Sequence, residues 1–253
     1  MKLKQFLPIF CCLTLFTSGW LANAADALPP LRVGITANLP PMAFKQDGQI
    51  VGIEADFAKL LGQELGREVK FVEVAWEDQI PTLLDGKTDI IMSGMTITKP
   101  RQFRVTFCSP YLRSGQMALI RGEDMQKFAL AFPIPPPGVI GVEKSTTGDF
   151  LVQQEFPRSK RKTFSGGEAA AKALKKKQID LYISDATTIW WLASENEAEG
   201  LAAVPIQLTD EQIAWAVSKT NSDLLDAANK ALAKWQQSGK ANKIVKHWLP
   251  NFQ

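Results

Sequence analysis

The chain has 253 residues, 45% of them apolar and 22% charged, with a formal net charge of +3. That length suits one large domain or two of ordinary size, and the composition excludes a disordered chain and a polytopic membrane protein. The small net charge gives no nucleic-acid footprint, and three cysteines are too few for a disulfide scaffold.

Lys2 and Lys4 precede an uncharged run, Gln5 to Ala25, that is apolar in its middle and contains Ala22-Asn23-Ala24 near its end. A basic start, an apolar centre and a small-x-small ending are the layout of a cleavable secretory signal, expected over residues 1–24. A membrane anchor is the competing reading, because the run is almost long enough to span a bilayer. A lipid on Cys11 or Cys12 fits less well, since both lie in mid-run. Cleavage would lower the net charge to about +1 and leave Cys108 as the sole cysteine. The exported protein must then be held by its core, with Cys108 a small buried apolar residue.

After a linker at 26–30, a short buried strand is expected over 31–35 and another over 50–53, joined through the Asp47-Gly48 turn. Phe57, Leu60, Leu61 and Leu65 fall at helical spacing over 55–65, and Gly66 ends that helix. A strand over 69–74, a helix around Ile80, Leu83 and Leu84, and a buried strand over 89–93 follow. The order then recurs: strand 139–142, helix 149–156, strand 162–164, helix 167–177 and strand 180–184. Asp89-Ile-Ile-Met-Ser93 and Asp180-Leu-Tyr-Ile-Ser184 match in layout: an Asp enters, three apolar residues follow, and a Ser precedes a loop. Strands alternating with helices imply largely parallel sheets, and the recurrence implies two similar α/β lobes.

Between them, 116–121 is expected as a crossing strand and 213–219 as the return. The proline-rich 132–138 is expected as a stiff linker. The tail carries one apolar stripe of Leu224, Ala228, Leu232 and Trp235 and a second of Ile244, Val245 and Trp248. The expected lobes are 25–115 with 214–253, and 116–213. Ligands on such sheets bind beyond the carboxyl ends of the strands, so the loops after Ser93 and Ser184 would line one cleft.

Metal and nucleophile chemistry find little footing. The single histidine, His247, sits among lysines, and no Cys/His cluster has ligand spacing. There is no nucleophile elbow and no phosphate loop. Gly166-Gly167 could open an anion site but is read as a turn. The basic runs at 160–162 and 175–177 are read as solvated faces rather than a nucleic-acid patch, and Trp190-Trp191 as core or interface rather than a binding platform. The segment from Ser93 to Arg101 is the richest: it follows a buried strand and offers Gly94 for close approach, a hydroxyl at Thr96 and the guanidinium of Arg101. Arg pairs a carboxylate bidentately, but spacing alone leaves a surface ion pair equally open.

Ser93–Arg101, followed by Val105-Thr-Phe-Cys-Ser-Pro-Tyr111, resembles the signature of the family 3 bacterial solute-binding proteins, the polar-amino-acid receptors of ABC importers. The resemblance runs through 31–44, Val51–Ala58, Trp76–Leu83, Ile140–Gly148, Ile179–Asp185 and the helical tail. It implies a two-lobed, type II periplasmic-binding fold that closes on an amino acid and delivers it to a membrane permease. It also implies a periplasmic monomer with no cofactor, no metal and no catalysis.

Carried over by residue, the resemblance implies that Arg101 takes the ligand α-carboxylate, helped by Thr96, the Gly94 backbone and the Thr146-Thr147 turn. Asp185 takes the α-ammonium, and Leu39 and Trp76 flank the side chain. Three departures bear on specificity. Leu39 replaces the usual aromatic, Thr36 stands where receptors for basic amino acids often carry an acid, and Ser145 replaces a Gly before the Thr pair. Together they favour a ligand with an uncharged side chain. Residues 125–137 are expected to lack the family's short helix. Two alternatives remain: a dehydratase on the same scaffold, for which Glu54, Glu77 and Glu143 are candidate acids with no pairing in their spacing, and a sensor for a membrane partner.

Overall fold

The computed structural model describes residues 28–129 and 138–250. The signal segment, Cys11, Cys12 and the proline run at 133–137 lie outside the described residues. No helix among those described is long and apolar enough to cross a membrane.

The first lobe is built from β1 (Leu31–Ile35), β2 (Asn38–Leu39), β3 (Ala43–Gln46), β4 (Gln49–Val51), α1 (Ile53–Leu65), β5 (Val69–Glu73), α2 (Gln79–Leu84), β6 (Ile90–Ile91), α3 (Lys99–Arg104) and β7 (Thr106–Phe107). A crossing strand, β8 (Leu112–Ser114), leads into the second lobe. That lobe contains β9 (Gln116–Arg121), α4 (Met125–Ala129), β10 (Val139–Glu143), α5 (Thr147–Glu155), β11 (Lys160–Phe164), α6 (Gly167–Lys175), β12 (Leu181–Asp185), α7 (Ala186–Glu195) and β13 (Leu201–Val204). The chain returns through β14 (Glu211–Ile213) to β15 (Ala216–Val217) and closes with α8 (Ser222–Gln237) and α9 (Lys240–Trp248).

The two sheets share a plan. The first has the order β5-β1-β6-β15-β7 and the second β11-β10-β12-β9-β13. In each, three parallel strands meet an antiparallel fourth. The matched acids play the same part in both. The Arg32 N–H donates to Asp89 Oδ2 at 2.9 Å and the Val139 N–H to Asp180 Oδ2 at 2.7 Å. Each carboxylate thus pins the start of its sheet's central parallel strand, β1 or β10, beside the strand that ends at the cleft.

The structure corrects several expected boundaries. Ile53 opens α1 rather than closing a strand. Gly52 makes that turn with φ +119, and a Cβ there would lie 2.6 Å from the Met42 carbonyl oxygen. Residues 116–121 do form a strand, but within the second sheet, between β12 and β13. The crossing pair is instead β8 with β14, a separate two-stranded ribbon. Helix α4 is present where none was expected. Trp190 is exposed, while Trp191 packs on Phe44 of the other lobe, ring centroids 5.4 Å apart.

The first lobe's core gathers Phe57, Tyr111, Trp215 and Trp235, with Cys108 buried among them and its thiol pushed up to about 12 by desolvation. Leu224, Ala228, Leu232 and Trp235 of α8 all face this core. Burying such rings contributes hydrophobic stabilisation to this core.

Candidate functional site

The carboxyl ends of β6 and β12 face each other across a gap with about 420 Å³ of atom-free space, counted out to its mouth. Its lining includes Thr36, Leu39, Trp76, Gly94, Thr96, Arg101, Thr146, Thr147 and Asp185, so all nine residues singled out in the sequence come together. Gln116, Glu143 and Ser184 complete it.

Arg101 reaches the gap because the segment 92–98, bridged at Thr96 to Ile213, leads from the end of β6 into α3. The Thr98 hydroxyl caps that helix and Pro100 sits in its first turn, where its missing N–H costs nothing. The guanidinium donates from Nη1 to the Thr96 carbonyl oxygen at 2.8 Å and lies 5.1 Å from the centre of the Trp76 ring. Asp185 ends β12 and accepts from Gln116 Nε2 at 2.5 Å. Among the described residues, neither Arg101 nor Asp185 belongs to an ion pair.

Burial sets the electrostatics. It draws the Arg101 guanidinium below its usual value, against the opposing pull of Asp185 and Glu211. A guanidinium nonetheless stays charged. Desolvation, reinforced by Glu211, pushes the Asp185 carboxyl up to about 7. Each group is withdrawn from much of the solvent with no ion-pair partner in direct contact, an arrangement that costs free energy until one arrives.

Several predicted donors are already engaged. The Gly94 N–H donates to Glu54 Oε1 at 2.6 Å, so it is not free for a ligand. The Thr36 hydroxyl donates to the Val74 carbonyl oxygen and accepts from Gln79. The Thr146 hydroxyl donates to the Glu143 carbonyl oxygen and caps α5. Thr96 donates its hydroxyl to Glu211. The donors left open in this turn are the Thr147 and Gly148 N–H groups in the first turn of α5, which a helix leaves unpaired.

Glu211 was not foreseen. It stands on the crossing strand β14, and its Oε2 accepts from Thr96 at 2.8 Å and from Thr147 at 3.2 Å, one hydroxyl from each lobe. Gln116 was also missed. Each is a polar residue at the start of a strand beside the crossing ribbon or within it, Gln116 opening the apolar β9 and Glu211 opening the short, mixed β14. Of the three candidate acids, Glu54 is buried under Tyr111 and Trp215, and Glu77 is paired with Lys144 at 2.9 Å. Only Glu143 reaches the gap.

A family model described as bacterial extracellular solute-binding proteins, family 3, matches residues 31–251. The chain belongs to that family. The ABC transporter arginine-binding protein 1 of Escherichia coli K12 is 29% identical over 250 residues, covering 96% of this chain and 98% of its own. An ancestral arginine-binding protein, solved bound to arginine, superposes with a TM-score of 0.79 at 32% identity, covering 87% of this chain and 97% of its own. An ancestral amino-acid-binding protein, AncCDT-1, described as a precursor of cyclohexadienyl dehydratase, gives 0.79 at 31% identity, covering 87% and 95%. The family 3 chain described here therefore shares its type II periplasmic-binding architecture with amino-acid receptors along nearly its whole length.

Proposed function

We propose that this protein is a periplasmic receptor, exported by its first 24 residues, that captures a free amino acid between its lobes and delivers it to the permease of an ABC importer. Arg101 takes the α-carboxylate with the Thr147 N–H, and Asp185, aligned by Gln116, takes the α-ammonium. Trp76 and Leu39 flank the ligand's stem. The protein is a monomer and performs no chemistry on its ligand.

One observation carries the reading: a half-buried guanidinium on one lobe and a half-buried carboxylate on the other line a single gap, and among the described residues neither belongs to an ion pair. A dipolar ligand supplies both partners at once, and only while the lobes are together. Differential affinity then favours the closed arrangement. The names of the relatives, which bind arginine or amino acids generally, support the ligand class.

Calorimetry of the twenty amino acids against the parent and Arg101→Ala tests it. The parent should bind one or a few saturably, and the variant should lose about 100-fold or more, the usual cost of leaving a buried charge unpaired. Equal binding by both proteins would refute the assignment. Asp185→Asn should weaken ligands with a free amine and spare deaminated analogues. Incubation with ring acids such as prephenate should yield no product.

A further inference from the structure

The Thr96 hydroxyl lines the ligand gap with its one proton already spent. A hydroxyl carries a single donor and two acceptor lone pairs, and an ionised carboxylate can only accept. Thr96 Oγ1 donates to Glu211 Oε2 at 2.8 Å, and Thr147 Oγ1 donates to the same oxygen at 3.2 Å. The other oxygen, Oε1, accepts from the Thr209 hydroxyl at 2.7 Å. Glu211 therefore takes its protons from hydroxyls, and among the described residues it belongs to no ion pair.

Its place relative to the ligand decides what this does. Thr96 and Thr147 line both the inner gap and a second groove beside the crossing ribbon, whereas Glu211 lines only the second. Seen from the ligand, the carboxylate stands behind two hydroxyls, one from each lobe. Thr147 Oγ1 also accepts from Gln116 Nε2 at 2.9 Å. Among the described residues nothing donates to Thr96 Oγ1, so its lone pairs are left to the gap. The Thr96 backbone is held without help from the Glu211 side chain. The Ile97 N–H donates to the Gln212 carbonyl oxygen at 2.8 Å, the Ala214 N–H to that of Met95 at 3.1 Å, and Arg101 Nη1 to that of Thr96 at 2.8 Å. Loss of the carboxylate would therefore leave Thr96 in place and free only the rotation of its hydroxyl.

We infer that Glu211 is a positioning residue: by taking the Thr96 proton it fixes that hydroxyl as an acceptor, and the gap then rejects a ligand that offers an acceptor where an amino acid offers its ammonium. Asp185 is an acceptor too when ionised. A 2-oxo acid would set its carbonyl oxygen against both and satisfy neither, and a site built to receive N–H groups discriminates strongly against an analogue that lacks them. The carboxylate end is the same in the two ligands, so the discrimination lies at the other end. Thr96 has no proton left for an α-carboxylate, which removes it from the role the resemblance implies. The inference rests on the receptor reading and adds how an amine is told from its oxidised counterpart.

The test is calorimetry on four pairs, L-arginine, L-glutamate, L-leucine and L-phenylalanine, each against the 2-oxo acid with the same side chain. Should the screen of twenty select another amino acid, its own 2-oxo acid completes the pair. The proteins are the parent, Glu211→Met, which keeps the side-chain length and removes the acceptor, Thr96→Val, and the double variant, with thermal melts to verify folding. The parent should favour the amino acid that it binds over the 2-oxo acid by about 100-fold or more. Glu211→Met should cut that ratio about tenfold or more, with the 2-oxo acid bound at least as well as by the parent. Thr96→Val should cut it similarly, and in that background Glu211→Met should change it by less than about threefold, because removing either partner removes the coupling. An unchanged ratio in Glu211→Met overturns the inference. So does an equal fall with and without the Thr96 hydroxyl, the result expected of a carboxylate acting by its charge alone. In both cases the receptor reading stands. If none of the twenty amino acids binds the parent, the receptor reading fails and the inference with it. Where Glu211→Met does not fold, an undiminished ratio in Thr96→Val overturns the inference on its own.

Discussion

Trp76 donates its indole N–H to the carbonyl oxygen of Ser145 at 3.1 Å, and this bond crosses the cleft from the first lobe to the second. Ser145 adopts φ +63, the left-handed region for which glycine is the default, so the serine keeps the turn rather than changing it. Its N–H donates to Asp149 Oδ2 at 2.9 Å and its hydroxyl to Glu77 at 3.2 Å. The turn that presents the Thr147 N–H is thus braced by its own helix and by the facing lobe.

Trp76→Phe separates this bond from the ring's other role. Phenylalanine keeps an aromatic face under Arg101 and removes only the N–H. A neutral hydrogen bond is worth about 1 kcal/mol net, so affinity should fall about 3- to 10-fold for every ligand, with the rank order preserved. Calorimetry on two or more ligands measures this. A loss confined to one ligand would show that the indole reads the side chain rather than holding the lobes.

The second prediction concerns stability and pH. The folded Asp185 carboxyl is pushed up to about 7, while an unfolded Asp titrates near ~4. The folded state therefore holds this proton more tightly. The associated stability is fully present below the unfolded value and is lost as pH rises through about 7. Without ligand, Asp185→Asn should be more stable than the parent by about 1–2 kcal/mol at pH 8, with a smaller margin at pH 5. Urea unfolding at both pH values measures the margin. An unchanged margin, or a less stable variant at pH 8, would contradict the placement of this carboxyl.

The same carboxyl shapes binding. A ligand ammonium needs Asp185 ionised, and Glu211, Glu143 and Arg101 are the charges that act on it. Below pH 7 a proton competes for the site, so affinity should weaken by up to about tenfold per pH unit. Titration in buffers of different ionisation enthalpy should show about one proton released on binding at pH 6. A flat affinity between pH 5 and 8 would remove Asp185 from the ammonium site.

Much of this arrangement was legible in the chain. Asp89 and Asp180 entered matched strands, and the helical tail declared its buried stripe. For Arg101, spacing alone left a ligand role and a surface ion pair even, and the family resemblance carried the choice. The donors' commitments were not legible: that Glu54 captures the Gly94 N–H, or that Glu211 collects hydroxyls from both lobes, depends on pairings across 40 and 115 residues. No local period encodes such contacts. The crossing strands were misplaced by one element because β9 has the apolar run of a buried strand, while the true crossing pair is short and mixed.

Glu54 gives a further prediction. It is fully buried and accepts from the Gly94 N–H at 2.6 Å, Tyr111 Oη at 2.7 Å and Trp215 Nε1 at 2.9 Å. Burial nonetheless pushes its carboxyl up to about 7. Glu54→Gln turns one acceptor into a donor facing the Trp215 N–H, a conflict worth about 1–3 kcal/mol. Unfolding should register that loss at pH 8. Ligand affinity should fall as well, because Gly94 begins the loop that carries Thr96 and Arg101. Full stability in this variant would mean that the three bonds do not hold the loop.

The last prediction concerns the rim of the cleft rather than its floor. Phe44 of the first lobe packs against Trp191 of the second at 5.4 Å and edge-on against Trp248 of its own lobe at 5.6 Å. Nearby, Asn38 Nδ2 donates to the Ser165 carbonyl oxygen at 2.7 Å across the same line. The Phe44–Trp191 and Asn38–Ser165 contacts form only when the lobes are together, and none of these four residues lines the inner gap. They therefore favour the closed arrangement whatever the ligand. An aromatic pair contributes about 0.5–1.5 kcal/mol beyond its buried area, so Trp191→Ala should raise the dissociation rate roughly 3- to 20-fold. The association rate, set by encounter with the open lobes, should change little. Stopped-flow measurement of both rates distinguishes this from damage to the site, which would alter selectivity as well. An unchanged dissociation rate would mean that closure is held by the ligand and the hinge ribbon alone.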